Sequence, residues 1–273
     1  MSRPPRATLA AGAALGALAL AGLLAPLLAP YDPARQLDLV ALANRAPSAA
    51  HPLGTDPFAR DVLSRTLYAA RTSLGVAALG ALTATAVGAA WGGLAGALGG
   101  ATERALMRIV DAVLGVPRVL LLLAVVALWG AVPPPALALV LGLTAWPATS
   151  RLVRARLALV REQEFVTAAR ALGASPARII LRHLPPHVAG TLAVSGTLLF
   201  GELLALEAGL SFLGLGVRPP EASWGSMVQD GTPYITDAWW TAIVPTVCII
   251  VSVLSASVLG DHLADRARPG GAD

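Results

Sequence analysis

The stretch TSLGVAALGALTATAVGAAWGGLAGALGGAT, residues 72–102, contains no charged residue and indicates the class of the fold. It is longer than the roughly 20 apolar residues that cross a bilayer as a helix. Gly88, Gly92, Gly96 and Gly100 recur at every fourth position, which places them on one helix face. Small residues at this spacing let two membrane helices approach closely, so we expect this face to pack against another span.

Apolar runs alternate with short charged segments along the rest of the chain. The run at 7–30 exceeds the roughly 7–15 residues of a signal-peptide core and has no clear cleavage site after it, so it predicts a retained helix. The runs at 188–206 and 238–260 predict two more spans.

The middle of the chain is interrupted by the prolines at 133–135, which leave apolar pieces too short to span. We therefore expect helix three to start near Glu103 and to contain Asp111 and Pro117, and helix four to run from 136 to 155. The sequence thus predicts an all-α polytopic membrane protein with about six transmembrane helices.

The composition also restricts the function. The chain is 56% hydrophobic and 13% charged, whereas a soluble domain has about 25% charged residues. Its net charge of +4 fits cytoplasmic loops rich in arginine, so no nucleic-acid partner is expected. The chain has no lysine, which a Walker A loop requires, so any ATP must be hydrolysed by another subunit. Cys248 and the histidines lack the spacing of a metal site, and no catalytic motif is present.

Arginine placement predicts the orientation. The segment between helices four and five has the highest arginine density, so it is expected to face the cytoplasm, together with both termini. Residues 31–71 then lie outside, and because their arginines are accompanied by aspartates we interpret them as a folded external segment. The arginines of the cytoplasmic segment are Arg151, Arg154, Arg156, Arg161, Arg170, Arg178 and Arg182.

The same basic segment is predicted to contain two short helices separated by a turn. Gly173 can stop the first helix, Ser175 and Pro176 can begin the second, and Pro186 follows its end. Such an element can dock into a groove on a partner protein. The first helix would carry four residues at helical spacing, Phe165, Ala168, Ala169 and Leu172.

This segment, FVTAARALGASPARIILRHLPP, resembles the coupling loop of permease subunits in binding-protein-dependent ABC importers. Ala168, Ala169 and Gly173 match the Glu-Ala-Ala-x-x-x-Gly signature of that family, and Pro186 matches its closing proline. Thr167 stands where the signature has Glu.

Three further segments resemble one branch of the family, the second permease subunit of dipeptide, oligopeptide and nickel importers. Ala59 replaces the glycine that is usual in the first of them, and this is expected to change a turn. The three segments are HPLGTDPFARDVLSR, MRIVDAVLGVP and EAGLSFLGLGVRPPEASWGSMVQDG.

The resemblance implies one subunit of a heteromeric importer in a prokaryotic plasma membrane. Its partners would be a second permease subunit, two cytoplasmic ATPase subunits that bind ATP and magnesium, an extracytoplasmic solute-binding protein and membrane lipid. This chain would bind no cofactor itself. Closure of the ATPase pair would push the coupling loops together and switch the path from inward-open to outward-open.

The chain is accordingly divided into four parts. Residues 1–30 form the N-terminal tail and the first span, and 31–71 form the extracytoplasmic segment. Residues 72–262 form the permease core, with the coupling loop at 156–187, and a cytoplasmic tail follows at 263–273.

Glu202 is the most informative single residue, because a carboxylate inside a span costs roughly 2.5–3.5 kcal/mol on insertion scales. We expect it either to line the pore or to pair with a polar group at the interface with the second permease. Glu207 on the same helix is expected to be hydrated and structural. Asp111 is expected to anchor helix three by pairing with Arg104 or Arg108.

The segment 211–231 is long enough to form a gate or a docking surface for the binding protein. Trp224, Trp239 and Trp240 in and beside it are expected to anchor the protein at the membrane–water boundary. The residues expected to shape the gate or docking surface are Ser211, Gly214, Gly216, Pro219, Pro220 and Trp224.

An ion-driven secondary transporter or channel is the alternative that the span count allows. The coupling loop favours the importer, and the sequence shows no inverted repeat and no strong midplane helix break of the kind such carriers use. A membrane enzyme would need a convergent nucleophile, base or metal site, which the sequence does not indicate.

Overall fold

The computed structural model describes residues 5–130, 132–164, 166, 168 and 185–267. Within these ranges the regular structure is helical and contains no β-strand, which confirms the all-α prediction. In chain order the helices are α1 Arg6–Leu23, α2 Ala25–Leu28, α3 Leu39–Leu42, α4 Val62–Leu98, α5 Gly100–Leu114, α6 Arg118–Trp129, α7 Pro134–Arg161, α8 Pro185–Phe212, α9 Trp224–Gly231 and α10 Trp240–Ala267, with a 3-10 turn at Thr232–Tyr234.

Five helices in the described ranges are long and apolar enough to cross a membrane, namely α1, α4, α7, α8 and α10. Helices α5 and α6 together form a sixth candidate span that is bent by 72°. The prediction of about six spans is confirmed. The side of the bundle that carries residues 31–61 is called the outer side below.

The bent span is a difference from the expected continuous helix three. Helix α5 ends at Leu114 and α6 begins at Arg118, so Pro117 lies at the N-cap of α6 and not inside a helix. Proline has no N–H to donate and its ring clashes with the preceding turn, and both effects favour a break at this point. The span is therefore built from two half-helices.

The proline run that precedes α7 begins a helix. Pro134 and Pro135 occupy its first turn, where a missing N–H is no loss. Helix α7 then passes through Pro147 and ends at Arg161, beyond the expected end at residue 155. Along its length it contacts both α6 and α5.

Helix α4 is longer than the sequence predicts. It begins at Val62 and not at Thr72, because the Asp61 side chain accepts a hydrogen bond from Ser64 N and caps the first turn. Its 37 residues correspond to about 55 Å at 1.5 Å per residue, well beyond the roughly 30 Å of a hydrocarbon core. The outer end of α4 therefore projects from the membrane.

The glycine face of α4 packs directly on α7, as its spacing predicts. A Cβ atom on Gly92 would lie 2.2 Å from the carbonyl oxygen of Ser150. The corresponding closest contacts at Gly88 and Gly96 are 2.6 and 2.8 Å. Gly100 is the exception, because it begins α5 at a φ of +61°, with no described atom within 4 Å of its Cβ position. Three of the four glycines therefore form the helix contact.

Two clusters of apolar side chains hold the bundle together. One lies among α4, α6, α7 and α8. The other joins the outer ends of α4, α8 and α10 to α9, and contains the fully buried Trp224 and the buried Trp240. Helix α1 packs on α10 and on α4 at the edge of the bundle.

Candidate functional site

An ion pair joins Arg118, the first residue of α6, to Glu202 on α8, and we call these two residues the central charge pair. Arg118 Nη1 donates to Glu202 Oε1, and Arg118 Nε donates to the Thr144 hydroxyl on α7 at 3.3 Å. The Glu202 side chain is 56% exposed and that of Arg118 is 23% exposed. Glu202 thus has a partner in its own chain, which the sequence did not predict.

Three helices place this pair at the same depth. Arg118, Thr144 and Glu202 each lie about ten residues from the outer end of their own helix. At 1.5 Å per residue this distance is about 15 Å, which is close to the middle of a hydrocarbon core of roughly 30 Å. By this estimate the break between α5 and α6 lies near the midplane, and it is a helix break that the sequence did not indicate.

The surroundings of the pair do not suit a lipid-facing position. Ionisable groups inside membranes face a bundle interior, a partner or a water-filled cavity, because lipid solvates them poorly. The pair is only partly covered by its own chain, so we expect its open side to face a partner subunit or a water-filled path. In addition, Arg118 Nη2 is buried without a hydrogen-bond partner in the described part of the chain. The central charge pair is therefore incomplete.

A second set of charges lies at the outer side, where Asp56, Arg60 and Arg65 are buried and Asp230 is partly exposed. Arg60 Nε donates to Asp56 Oδ2 at 2.6 Å, and Arg60 Nη2 donates to Asp230 Oδ2 at 2.7 Å. Arg65 lies between the same two carboxylates, at 3.5 and 3.4 Å. We call Asp56, Arg60, Arg65 and Asp230 the outer charge cluster. It ties the segment before α4 to α9, so this segment is folded, as its mixed charges predict.

Ala59 lies in the turn beside this cluster. Its φ is +55°, in the left-handed region that glycine adopts more readily than alanine. Ala59 N donates to the Asp56 carbonyl at 2.9 Å, and Arg60 N donates to the Asp56 carboxylate at 2.9 Å. The alanine therefore adopts a glycine-like turn, and the outer charge cluster holds it there.

Much of the segment 211–231 is buried. Ser211 and Trp224 are fully buried, and a Cβ on the buried Gly216 would lie 2.1 Å from the Ser211 hydroxyl. Gly214 has a φ of +76° and shapes the turn that follows α8. The longest exposed stretch of this segment is Arg218–Glu221, which includes Pro219 and Pro220, and Phe212, Leu213 and Gln229 are exposed as well.

The tryptophans of this region differ from their expected role at the membrane boundary. Trp224 Nε1 donates to the Thr66 carbonyl at 3.2 Å, and Trp240 Nε1 donates to the Thr55 carbonyl at 3.1 Å. Both indoles are buried, so the expectation that they anchor the protein in the interface is wrong. Trp239 is 53% exposed and remains available for that role.

Glu207 is fully buried, so the expectation that it is hydrated is wrong. Its carboxylate accepts a hydrogen bond from the Ser211 hydroxyl at 2.7 Å. The same hydroxyl accepts a hydrogen bond from Val217 N at 3.1 Å, so Glu207 helps to fix the turn after α8. Its other oxygen, Oε2, is buried and has no hydrogen-bond partner among the described residues.

Asp111 pairs across helices and not along its own helix. Arg151 on α7 donates to Asp111, and Arg154 on α7 donates to Glu103 at the start of α5. The expected partners, Arg104 or Arg108, are therefore wrong. These two pairs attach α5 to the inner half of α7.

Most of the predicted coupling loop lies outside the described residues. Ala168 is described and exposed, and Pro186 lies in the first turn of α8. The candidates outside the described ranges are Phe165, Thr167, Ala169, Leu172, Gly173, Ser175 and Pro176.

Comparison with known proteins places these features in a family. Residues 88–269 match the family described as the binding-protein-dependent transport system inner membrane component. The chain belongs to this family. The match begins at Gly88 on the α4 glycine face and extends through the bent span, the central charge pair, the segment 211–231 and all of α10.

Relatives of the permease cover most of its length. It is 37% identical to the dipeptide transport system permease protein DppC of Bacillus subtilis over 248 residues, which cover 89% of this chain and 76% of DppC. It is 38% identical to a putative peptide transport system permease protein of Brucella suis, with 92% and 83% covered. A second Brucella suis protein, a putative peptide permease, is 40% identical, with 89% and 80% covered.

The permease is thus an inner membrane subunit of an ABC importer and works with other components of such a transporter. The ion-driven carrier receives no support from these relatives, although the bent α5–α6 span is a feature that such carriers also use. The midplane break is therefore part of an ABC permease here.

Proposed function

We propose that the permease forms half of the translocation path for peptides or similar small solutes, with ATP hydrolysed on separate partner subunits. The central charge pair carries this proposal. Its two charges lie at mid-membrane depth on a surface that their own bundle leaves open, so a path or a partner subunit must lie beside them. The names of the Bacillus subtilis and Brucella suis relatives support peptides as the solute.

The permease has four kinds of partner in this proposal. The permease would meet a second permease subunit, two cytoplasmic ATPase subunits, an extracytoplasmic solute-binding protein and membrane lipid. ATP and magnesium would be bound by the ATPase subunits, and the permease would hold no cofactor. The lack of lysine in the chain supports this division, because a Walker A loop needs one.

Both termini and the coupling loop would face the cytoplasm. The arginines that follow the inner end of α7 support this orientation, because cytoplasmic loops are rich in basic residues. The loop would dock on an ATPase subunit through nine residues, Phe165, Thr167, Ala168, Ala169, Leu172, Gly173, Ser175, Pro176 and Pro186.

The solute-binding protein would dock on the outer side. The exposed stretch Arg218–Glu221 supports this, because it combines charges with two prolines that restrict the backbone. The buried Ser211, Gly216 and Trp224 would act beneath the surface by holding this stretch in shape. Docking would therefore use the small exposed stretch Arg218–Glu221, supported by the buried residues beneath it.

The experiment that tests this function uses the complex purified in mild detergent through a C-terminal tag on the permease. We expect a second permease and ATPase subunits to copurify. After reconstitution with the binding protein, ATP should drive accumulation of short peptides in vesicles. A permease that purifies alone and transports solute without ATP would contradict the proposal.

A pair of glycine variants tests the coupling loop within the same assay. Gly173→Val should weaken ATPase association, because a β-branched residue is costly at the positive φ expected for the stop. Gly93→Val is the matched control, since no described atom lies within 4 Å of its Cβ position. Equal ATPase recovery with both variants would rule out the proposed turn.

A further inference from the structure

We propose that the central charge pair binds the two charged ends of a peptide midway across the membrane. Arg118 would take the terminal carboxylate and Glu202 the terminal ammonium group. This inference rests on the proposed function, because it names the groups of the solute that the path recognises. It assigns a binding site for zwitterionic solutes to the permease itself.

The first argument is the incomplete bonding of Arg118. A guanidinium has five N–H donors in a planar fork that suits a carboxylate. Here one nitrogen contacts Glu202, a second contacts Thr144, and Nη2 has no hydrogen-bond partner in the described part of the chain. An unpaired donor in a poorly solvated place is costly. Nη2 is buried in this arrangement, so a solute carboxylate would reach it only after the Arg118 side chain rotates, and the new bond would then be favourable.

The second argument is the place of Arg118 at the start of α6. The first N–H groups of a helix have no partner within the helix and give this end a partial positive charge. Broken spans in membrane transporters direct such helix ends at the anionic groups of their solutes. The break after Leu114 thus presents both an arginine and a helix N-terminus at mid-depth. This combination favours the carboxylate end of the solute at Arg118.

The third argument is charge balance during passage. Without solute, Arg118 and Glu202 neutralise each other, so neither charge is left unpaired in the membrane. A zwitterion replaces this one pair by two pairs, Arg118 with its carboxylate and Glu202 with its ammonium group. A solute of a single sign would leave one protein charge unpaired, which is costly at this depth. The exchange therefore selects for molecules that carry both charges.

The two side chains can separate far enough for this exchange. The termini of an extended dipeptide are about 7 Å apart, at roughly 3.3–3.6 Å per residue. Arginine and glutamate both have long, rotatable side chains, and the carboxylate of Glu202 is already more than half exposed. The exchange thus needs side-chain rotation and no rearrangement of the helices.

The test uses the complete transporter in vesicles with its binding protein, and measures uptake of tritiated dialanine and trialanine. The double variant R118Q/E202Q removes both charges but leaves polar groups of similar size. We expect about tenfold slower uptake, because charge-assisted bonds to both termini are lost. Copurification of all subunits with the double variant shows that assembly is intact.

A matched control neutralises a different ion pair. The variant D111N/R151Q removes the exposed pair between α5 and α7, and it should take up both peptides at the wild-type rate. If R118Q/E202Q also transports at the wild-type rate, the site is refuted, because a purely structural pair is expected to tolerate joint neutralisation. If the wild-type complex takes up neither peptide, the proposed function fails, not the site alone.

A conservative variant separates charge from shape. R118K/E202D keeps both charges while changing the length of both side chains and the fork of the arginine. We expect it to retain at least about a third of wild-type uptake, since a lysine still attracts a carboxylate as a point charge. Uptake as low as that of R118Q/E202Q would contradict a charge-reading site and indicate a role in helix packing.

Discussion

The outer charge cluster and the central charge pair use the same chemistry in opposite ways. In the cluster the Arg60 and Arg65 side chains are 9% and 4% exposed, and each contacts two carboxylates. In the pair Glu202 is 56% exposed and Arg118 keeps an unpaired donor. A buried group with a full set of partners has no reason to exchange them. The comparison teaches that the two sets of charges differ in how completely they are paired more than in charge itself, and the proposed solute site is the incompletely paired one.

The largest expected effect comes from a substitution in the outer charge cluster. Asp56→Asn removes a negative charge shared by two buried guanidinium groups. We expect the free energy of unfolding to fall by about 3–5 kcal/mol, because the arginines lose a buried partner. Thermal unfolding of the purified complex measures this. The exposed Asp32→Asn in the same segment should change stability by less than about 0.5 kcal/mol.

The next change acts on the packing of α4 against α7, which supports both regions. Gly92→Ala would place a Cβ 2.2 Å from the Ser150 carbonyl and force α4 away from α7. We expect a loss of about 1–3 kcal/mol, typical of overpacking. Gly93→Ala, on an open face of the same helix, should be close to neutral. Equal unfolding temperatures for the two variants would show that α4 and α7 do not pack through the glycine face.

A neutral hydrogen bond at the outer side gives a smaller effect. Trp224→Phe removes the bond from the indole to the Thr66 carbonyl, but keeps most of the buried ring. We expect a loss of about 1–2 kcal/mol in the free energy of unfolding. The exposed Trp239→Phe serves as the control and should stay within about 0.5 kcal/mol of wild type. Similar losses in both would argue against the observed burial of Trp224.

The smallest expected effect on stability belongs to the central charge pair. The double variant R118Q/E202Q removes both charges of this partly exposed pair, so neither charge is left unpaired. We expect a change below about 1 kcal/mol in the free energy of unfolding, although peptide uptake should fall. Unfolding curves and uptake rates from one preparation separate the two quantities. A loss as large as that of Asp56→Asn would remove the distinction between the two regions.

The spans and the glycine contact could be predicted because they depend on local spacing. The effects of the prolines could not be predicted, since Pro117 lies at a helix break and Pro147 lies inside the continuous helix α7. The difference is tertiary: around Pro147 helix α7 packs on the glycine face of α4, whereas Pro117 follows Gly115 at the end of an amphipathic helix. A sequence shows the residue but not the packing that holds the helix together around it.

The sequence predicts one of the two residues of the central charge pair. The cost of a carboxylate in a span points to Glu202, but no local pattern points to its partner Arg118, which is 84 positions away in sequence. One feature of the sequence could have indicated that Arg118 and Glu202 pair. Arg118 directly precedes an apolar run and Glu202 interrupts another, and both lie about ten residues from the outer ends of their helices. Opposite charges at equal predicted depth are candidates for pairing.

Similar reasoning explains the wrong partner for Asp111. Helical spacing predicts partners on its own helix, whereas the structure pairs it with Arg151, 40 positions later in the sequence. The burial of Trp224 also depends on a contact distant in sequence, since its indole bonds to Thr66 on α4. Interface preferences of single residue types cannot foresee such contacts.

The length of α4 has a mechanical consequence. This single helix of 37 residues is about 55 Å long and runs from the outer charge cluster to the start of α5. An unbroken helix of this length acts as a lever, so a tilt of about 10° at one end displaces the other by roughly 10 Å. Because Arg65 fixes the outer segment to this lever, a small rotation imposed at the inner end would be magnified at the opposite face of the membrane.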